Sequence, residues 1–178
     1  MYIWRFFVNN IIGDIMIKIW LVVIMTLLFS GCMIANTPTS KVEDYLGKYQ
    51  RLDKDISLNY VQLSNDADIT DNQIKNYQAL IEKQYKSLAY EIKEEMVDGN
   101  RATVTAQVKV YDYKEVFEKY DKSNYDLDQY HDLIIDSLKA QKDKVTYTIE
   151  FKLTKNNNDE WKLVDLTDED HEKLLGIN

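Results

Sequence analysis

From residue 88 to residue 110 polar and apolar side chains alternate with a period of two. Leu88, Tyr90, Ile92 and Met96 share one face, and Glu91, Lys93 and Glu95 the other. After Asp98-Gly99-Asn100 the alternation resumes, with Ala102, Val104, Ala106, Val108 and Val110 against Thr103, Thr105, Gln107 and Lys109. This pattern predicts two strands, each with one buried face, joined by a tight turn in which glycine takes positive φ at little cost. Val145, Tyr147, Ile149, Phe151 and Leu153 predict a third strand. A turn over 155–159 leads to a fourth that begins at Trp161 and Leu163.

The other segments have helical spacing. Thr37-Pro38 opens the first helix, because threonine can cap free N–H groups and proline is tolerated at the first helical position. Ser40 with Glu43 is an alternative capping box. Val42, Tyr45, Leu46, Tyr49 and Leu52 form its apolar stripe. Residues 53–69 leave the choice open between a short helix around Ile56–Leu63 and a loop broken at Ser64-Asn65-Asp66. Thr70 with Gln73 caps a second amphipathic helix carrying Ile74, Tyr77, Ile81 and Tyr85. Residues 114–142 return to helical spacing in two pieces, separated at Asp121–Asn124, and Thr167 caps a short closing turn. The predicted class is α+β: a four-stranded antiparallel sheet, N-terminal helices over one face, and a helical insert between the two hairpins.

The first 31 residues read differently. Lys18 precedes a run from Ile19 to Phe29 in which Thr26 is the one polar residue, and Ser30-Gly31-Cys32 follows. That run has the length of a signal-peptide core, whereas a spanning helix needs about 20 apolar residues. Leu28-Phe29-Ser30-Gly31-Cys32 resembles the lipobox of bacterial lipoproteins. The resemblance implies cleavage before Cys32, diacylation of its thiol, and attachment to the outer face of the cytoplasmic membrane. Cys32 is the single cysteine, so no internal disulfide explains it. The other reading is an uncleaved anchor helix that happens to contain a cysteine. The expected organisation is a signal peptide over 1–31, a lipidated tether over 32–36 and one α+β domain over 37–178. Met-Ile-Lys-Ile-Trp from Met16 is itself a short basic start before an apolar core, so translation is expected to begin there.

Charge narrows the partners. Of 22 basic and 30 acidic residues, the leader holds Arg5, Lys18 and Asp14, so the remainder carries 20 and 29, a net charge of −9. A surface of that sign repels nucleic-acid phosphates and anionic headgroups, so nucleic acid is excluded as a partner and membrane contact must come through lipid on Cys32.

Thr37-Pro38 after a lipidated cysteine, the aromatic helix face, Asp98-Gly99-Asn100-Arg101-Ala102-Thr103-Val104 and Trp161-Lys162-Leu163 together resemble small Gram-positive lipoproteins of the NTF2-like superfamily. The resemblance covers most of 37–178 and implies a cone-shaped fold with a cavity between sheet and helices. It implies no particular reaction, because that superfamily includes enzymes, binding modules and scaffolds.

Candidate chemistry is sparse. His131 and His171 are far apart without cysteine or histidine companions, so no metal site is assigned and no cofactor is expected. Asp66, Asp68 and Asp71, like Asp165, Asp168 and Asp170, lack the glycine and terminal glutamate of a calcium loop and read as turn and cap residues. No serine has a nucleophile-like setting and no glycine-rich phosphate loop is present. Glu94 and Asp165 fall in phase with inward-facing strand residues. A carboxylate drawn into an apolar cavity would suit general acid or base work, with His131 or a tyrosine assisting. A slip or bulge at either strand end would return them to water. Among the 13 tyrosines, Tyr45, Tyr49, Tyr77, Tyr85, Tyr90 and Tyr147 fall on inward faces. With Trp161 they form either a cavity lining for an amphipathic ligand or a tyrosine-rich core.

The leading functional reading is a tethered, non-enzymatic domain that binds an amphipathic small ligand or an envelope protein. The first alternative is a cavity enzyme using Glu94 or Asp165. The second is a structural envelope protein that forms a homodimer through its sheet, whose outer face of Thr, Lys and Glu implies a wet interface. Small-ligand binding requires a concavity above roughly 300 Å³.

Overall fold

The computed structural model describes residues 36–178. The N-terminal features, Cys32 and Met16 among them, lie outside the described residues. The chain forms α1 (Pro38–Arg51), α2 (Val61–Ser64), α3 (Asp71–Lys86), β1 (Ala89–Asp98), β2 (Arg101–Tyr111), α4 (Lys114–Lys119), a 3-10 turn (Lys122–Asn124), α5 (Leu127–Ala140), β3 (Lys144–Lys155), β4 (Trp161–Leu163) and α6 (Asp168–Leu175). The strands form one open antiparallel sheet in the order β1-β2-β3-β4. The class is α+β, as the alternation implies.

Local chemistry places the helix starts. Thr37 Oγ1 accepts from the Ser40 N–H (3.1 Å) and Ser40 Oγ accepts from the Thr37 N–H (3.2 Å), so the box closes on Ser40 and not on Glu43. Thr70 and Gln73 make the same reciprocal pair at α3, and Thr167 with Asp170 at α6. Of the open segment 53–69, only Val61–Ser64 is helical.

The core sits between the inner sheet face and the helices. Val104, Ala106, Val108 and Val110 of β2 and Ile149 and Phe151 of β3 are fully buried. Each buried Val, Ile or Phe contributes roughly 1.5–3 kcal/mol over leaving it exposed. Helix α1 lies against β4, β2 and β1, while α3 packs on α1, β2 and α6. The insert helix α5 packs mainly on α3 rather than on the sheet.

The C-terminal helix is clasped by one buried amide. Gln84 of α3 donates to the carbonyls of Tyr111 (2.9 Å) and Leu175 (2.7 Å) and accepts from the Tyr111 N–H (2.9 Å). Gly176 closes α6 at φ +74°, and a Cβ there would meet the Tyr111 carbonyl oxygen at 2.1 Å. Only glycine fits that approach.

One strand departs from simple alternation. Ile92 pairs with Ala106, but Glu94, not Lys93, pairs with Thr105, so Lys93 is an unpaired bulge residue. Everything beyond it changes face. Met96 therefore lies opposite Thr103 on the outer face, 55 % exposed, and does not share a face with Ile92.

Candidate functional site

The bulge decides the fate of Glu94. It pairs with Thr105, whose side chain points to the outer face, and it is exposed. The expected inward position is thus corrected: the extra residue at Lys93 returns this carboxylate to water. Glu95 takes the helix-side position instead, where its Oε2 accepts from the Thr39 N–H (2.9 Å) and Thr39 Oγ1 (2.6 Å) in the first turn of α1. A carboxylate at a helix N-terminus satisfies free N–H groups and complements the dipole. Asp165 is corrected as well. The strand β4 ends at Leu163, so the residue falls in the following loop and is exposed. Neither carboxylate sits in an apolar setting, and the two stand at opposite edges of the sheet.

The aromatic candidates are mostly core. Tyr49, Tyr77, Tyr85 and Trp161 are buried, while Tyr45, Tyr90 and Tyr147 are half-buried. Rings of Tyr45 and Tyr49 meet edge to face at 5.2 Å, and those of Tyr49 and Tyr85 at 4.8 Å. The Tyr45 and Tyr49 hydroxyls hydrogen-bond to each other (2.9 Å), and Tyr147 donates to the Asn178 carbonyl (2.8 Å). Tyr45, Tyr49 and Tyr147 thus fill space with hydrogen-bonded hydroxyls. Burial pushes the Tyr45, Tyr77 and Tyr85 hydroxyls above their ordinary pKa, so they remain neutral.

His131, on α5, is fully buried and belongs to an array that its sequence setting does not reveal. Its Nδ1 hydrogen-bonds the Tyr77 hydroxyl at 2.8 Å. Its Nε2 faces Asp66 Oδ2 at 3.6 Å, too long for a hydrogen bond, and is unpaired among the described residues. Asp66 in turn takes Lys122 Nζ at 2.7 Å and the Asp68 N–H at 3.0 Å. The Lys122 ammonium holds the Asp66 carboxyl down at about 2, while burial lowers the His131 pKa and keeps the ring neutral. Hydroxyl, imidazole and carboxylate are thus in line. Yet Tyr77 is fully buried, so no substrate reaches its hydroxyl. The array is a polar tie between α3, α5 and the 64–68 turn. His171 lies half-buried on α6.

Asp68 stands in the 64–68 turn, Asp71 begins α3, and Asp168 and Asp170 occupy the first turn of α6, where Asp170 completes the cap. Among the described residues no group of three His, Cys, Asp or Glu side chains could hold a metal ion.

Among the described residues, two open grooves exceed the size that a small ligand requires. One, of about 490 Å³, is bounded by the 62–65 turn, Lys114, Phe117, Lys122 and Tyr130. The other, of about 520 Å³, runs between the outer part of β3 (Thr148, Glu150, Lys152) and the segment from Val164 to Lys173, with Asp165 in its wall. Sequence periodicity could not find either, because each joins segments far apart in the chain.

The fold and grooves define an α+β protein with a closed core and surface recesses. No family model matches the chain, and no curated protein matches it. Among solved structures, ycdA of Bacillus subtilis, a candidate lipoprotein, aligns at 18 % identity and a TM-score of 0.43, over 75 % of this chain and 44 % of that one. The chain therefore spans less than half the length of that neighbour.

Proposed function

We propose that this chain is a lipoprotein anchored through diacylated Cys32 to the outer face of the bacterial cytoplasmic membrane, with an NTF2-like domain that binds partners without catalysing a reaction. One observation carries the anchor: Ser30-Gly31-Cys32 closes an apolar run of signal-peptide length, and this cysteine has no second thiol to pair with. The domain is fastened from its first described residue. Asn36 accepts from the Trp161 N–H (3.1 Å) and donates to the Asp159 carbonyl (2.9 Å), leaving only a short tether after Cys32. No helix among the described residues is long and apolar enough to cross a membrane.

Helices over one face of an antiparallel sheet support the NTF2-like reading. The binding reading is favoured over the enzyme because Glu94 and Asp165 are exposed and apart, His131 is sealed, and the recesses lie at the surface. Cells fed labelled palmitate are expected to label the wild-type protein and leave Cys32→Ala unlabelled and unprocessed. Equal labelling of both proteins, or of neither, refutes the anchor.

A further inference from the structure

We infer that the open edge of β3 from Thr146 to Glu150 is a docking site for an extended, basic peptide segment of a partner protein, taken up as a strand in line with β4. This deepens the binding half of the reading above and does not depend on the lipid.

The edge follows from backbone parity. Strand β3 spans Lys144–Lys155, but β4 covers only Leu153–Lys155. The Val164 N–H donates to the Lys152 carbonyl (2.8 Å), so Lys152 directs its peptide groups to the β4 side. The Lys155 N–H donates to the Asn100 carbonyl (2.9 Å), on the β2 side. Successive residues of an antiparallel strand direct their N–H and C=O groups to alternate sides. Odd residues of β3 therefore bond β2, and Thr146, Thr148 and Glu150 present theirs to the open edge. On the side away from β2, no strand among the described residues pairs with β3 at these positions. Nor is this stretch blunted by proline or a bulge, the usual guards of a bare edge.

The groove of about 520 Å³ runs beside this edge. Its charged lining is Glu150, Asp165, Glu169 and Asp170 against Lys152 and Lys173. Lys173 is held by Glu169 (2.7 Å) and Asp170 (3.6 Å), which leaves Glu150 and Asp165 against Lys152 in a lining that is acidic overall. Leu166 and Val164, the latter 42 % exposed, give an apolar footing beside the acids. Main-chain bonds would supply affinity, and alternate side chains would read acid and apolar surface, as in strand addition generally. A second copy fits poorly, because the chain carries a net charge of −8 and would bring acid to acid.

The test uses the full-length chain in detergent and fluorescein-labelled ten-residue peptides, one alternating lysine with threonine and one alternating glutamate with threonine, followed by anisotropy. The lysine peptide is expected to bind at least about tenfold more tightly than the glutamate peptide. Thr148→Pro, which removes an edge N–H without touching the β2 ladder, should weaken it about tenfold, the worth of one or two hydrogen bonds. Thr148→Val keeps that N–H and should change binding less than about twofold. Asp165→Lys, remote from the edge backbone, should weaken the lysine peptide about threefold and keeps the test valid should Thr148→Pro misfold. No binding, equal binding of both peptides, or indifference to Thr148→Pro and Asp165→Lys overturns the site. Self-association lost in Thr148→Pro without peptide binding assigns the edge to a second copy and also overturns it. A failed palmitate experiment leaves these outcomes untouched, so the two claims fail separately.

Discussion

Strand β1 and the part of β3 beyond β4 treat their bare backbone in opposite ways. Strand β1 is bent by the Lys93 bulge, carries charge on both faces, and is tied to α1 by the bonds from Thr39 to Glu95. Strand β3 pairs without interruption along β2, and β4 covers only its last residues. An edge that must stay unpaired is broken, charged and clamped; one left straight and beside a recess is suited to another strand. The same sheet thus has a closed side and a receptive side.

That contrast can be broken by substitution. The largest effect is expected from Ile149→Pro. It deletes a ladder bond to β2 and a fully buried side chain, and should cost more than about 3 kcal/mol in urea unfolding, enough to prevent folding. Next comes deletion of Lys93. Removing the bulge leaves Glu94 opposite Thr105 and Glu95 opposite Val104, but takes out the local twist that the bulge sets, and should cost about 2 kcal/mol by the same measurement. Glu95→Ala keeps the bulge but removes the contact at the start of α1. A loss of about 1 kcal/mol is expected, with faster amide exchange at Thr39. The smallest change is Thr148→Pro, expected within about 1 kcal/mol of wild type because its N–H faces the open edge. If Thr148→Pro destabilised as much as Ile149→Pro, the parity assigned to β3 would be wrong.

Much of this was legible beforehand. Strand alternation in β2 and β3, the Thr70–Gln73 and Thr167 caps and the split at Asp121–Asn124 all appear as read, because each rests on neighbours a few residues apart. Gln84 is in phase with Tyr77 and Ile81, so a polar residue inside an apolar stripe was also visible. The bulge was not. After Ile92 the chain reads Lys-Glu-Glu-Met-Val, and with Met96 and Val97 adjacent either phase puts an apolar residue inside. The choice fell to the partner strand, where Ala102 and Val104 take Val97 and Glu95 opposite them. The bond of His131 to Tyr77 and its approach to Asp66 join three remote segments.

Periodicity, caps and turn residues are short-range, so the amino-acid order alone determined most of the elements, the inward faces of β2 and β3 and the α+β class. Register past Lys93, the burial of His131 and the open stretch of β3 were decided only by tertiary structure. Each depends on which residue stands opposite another across the fold, and a linear pattern carries no record of that distance.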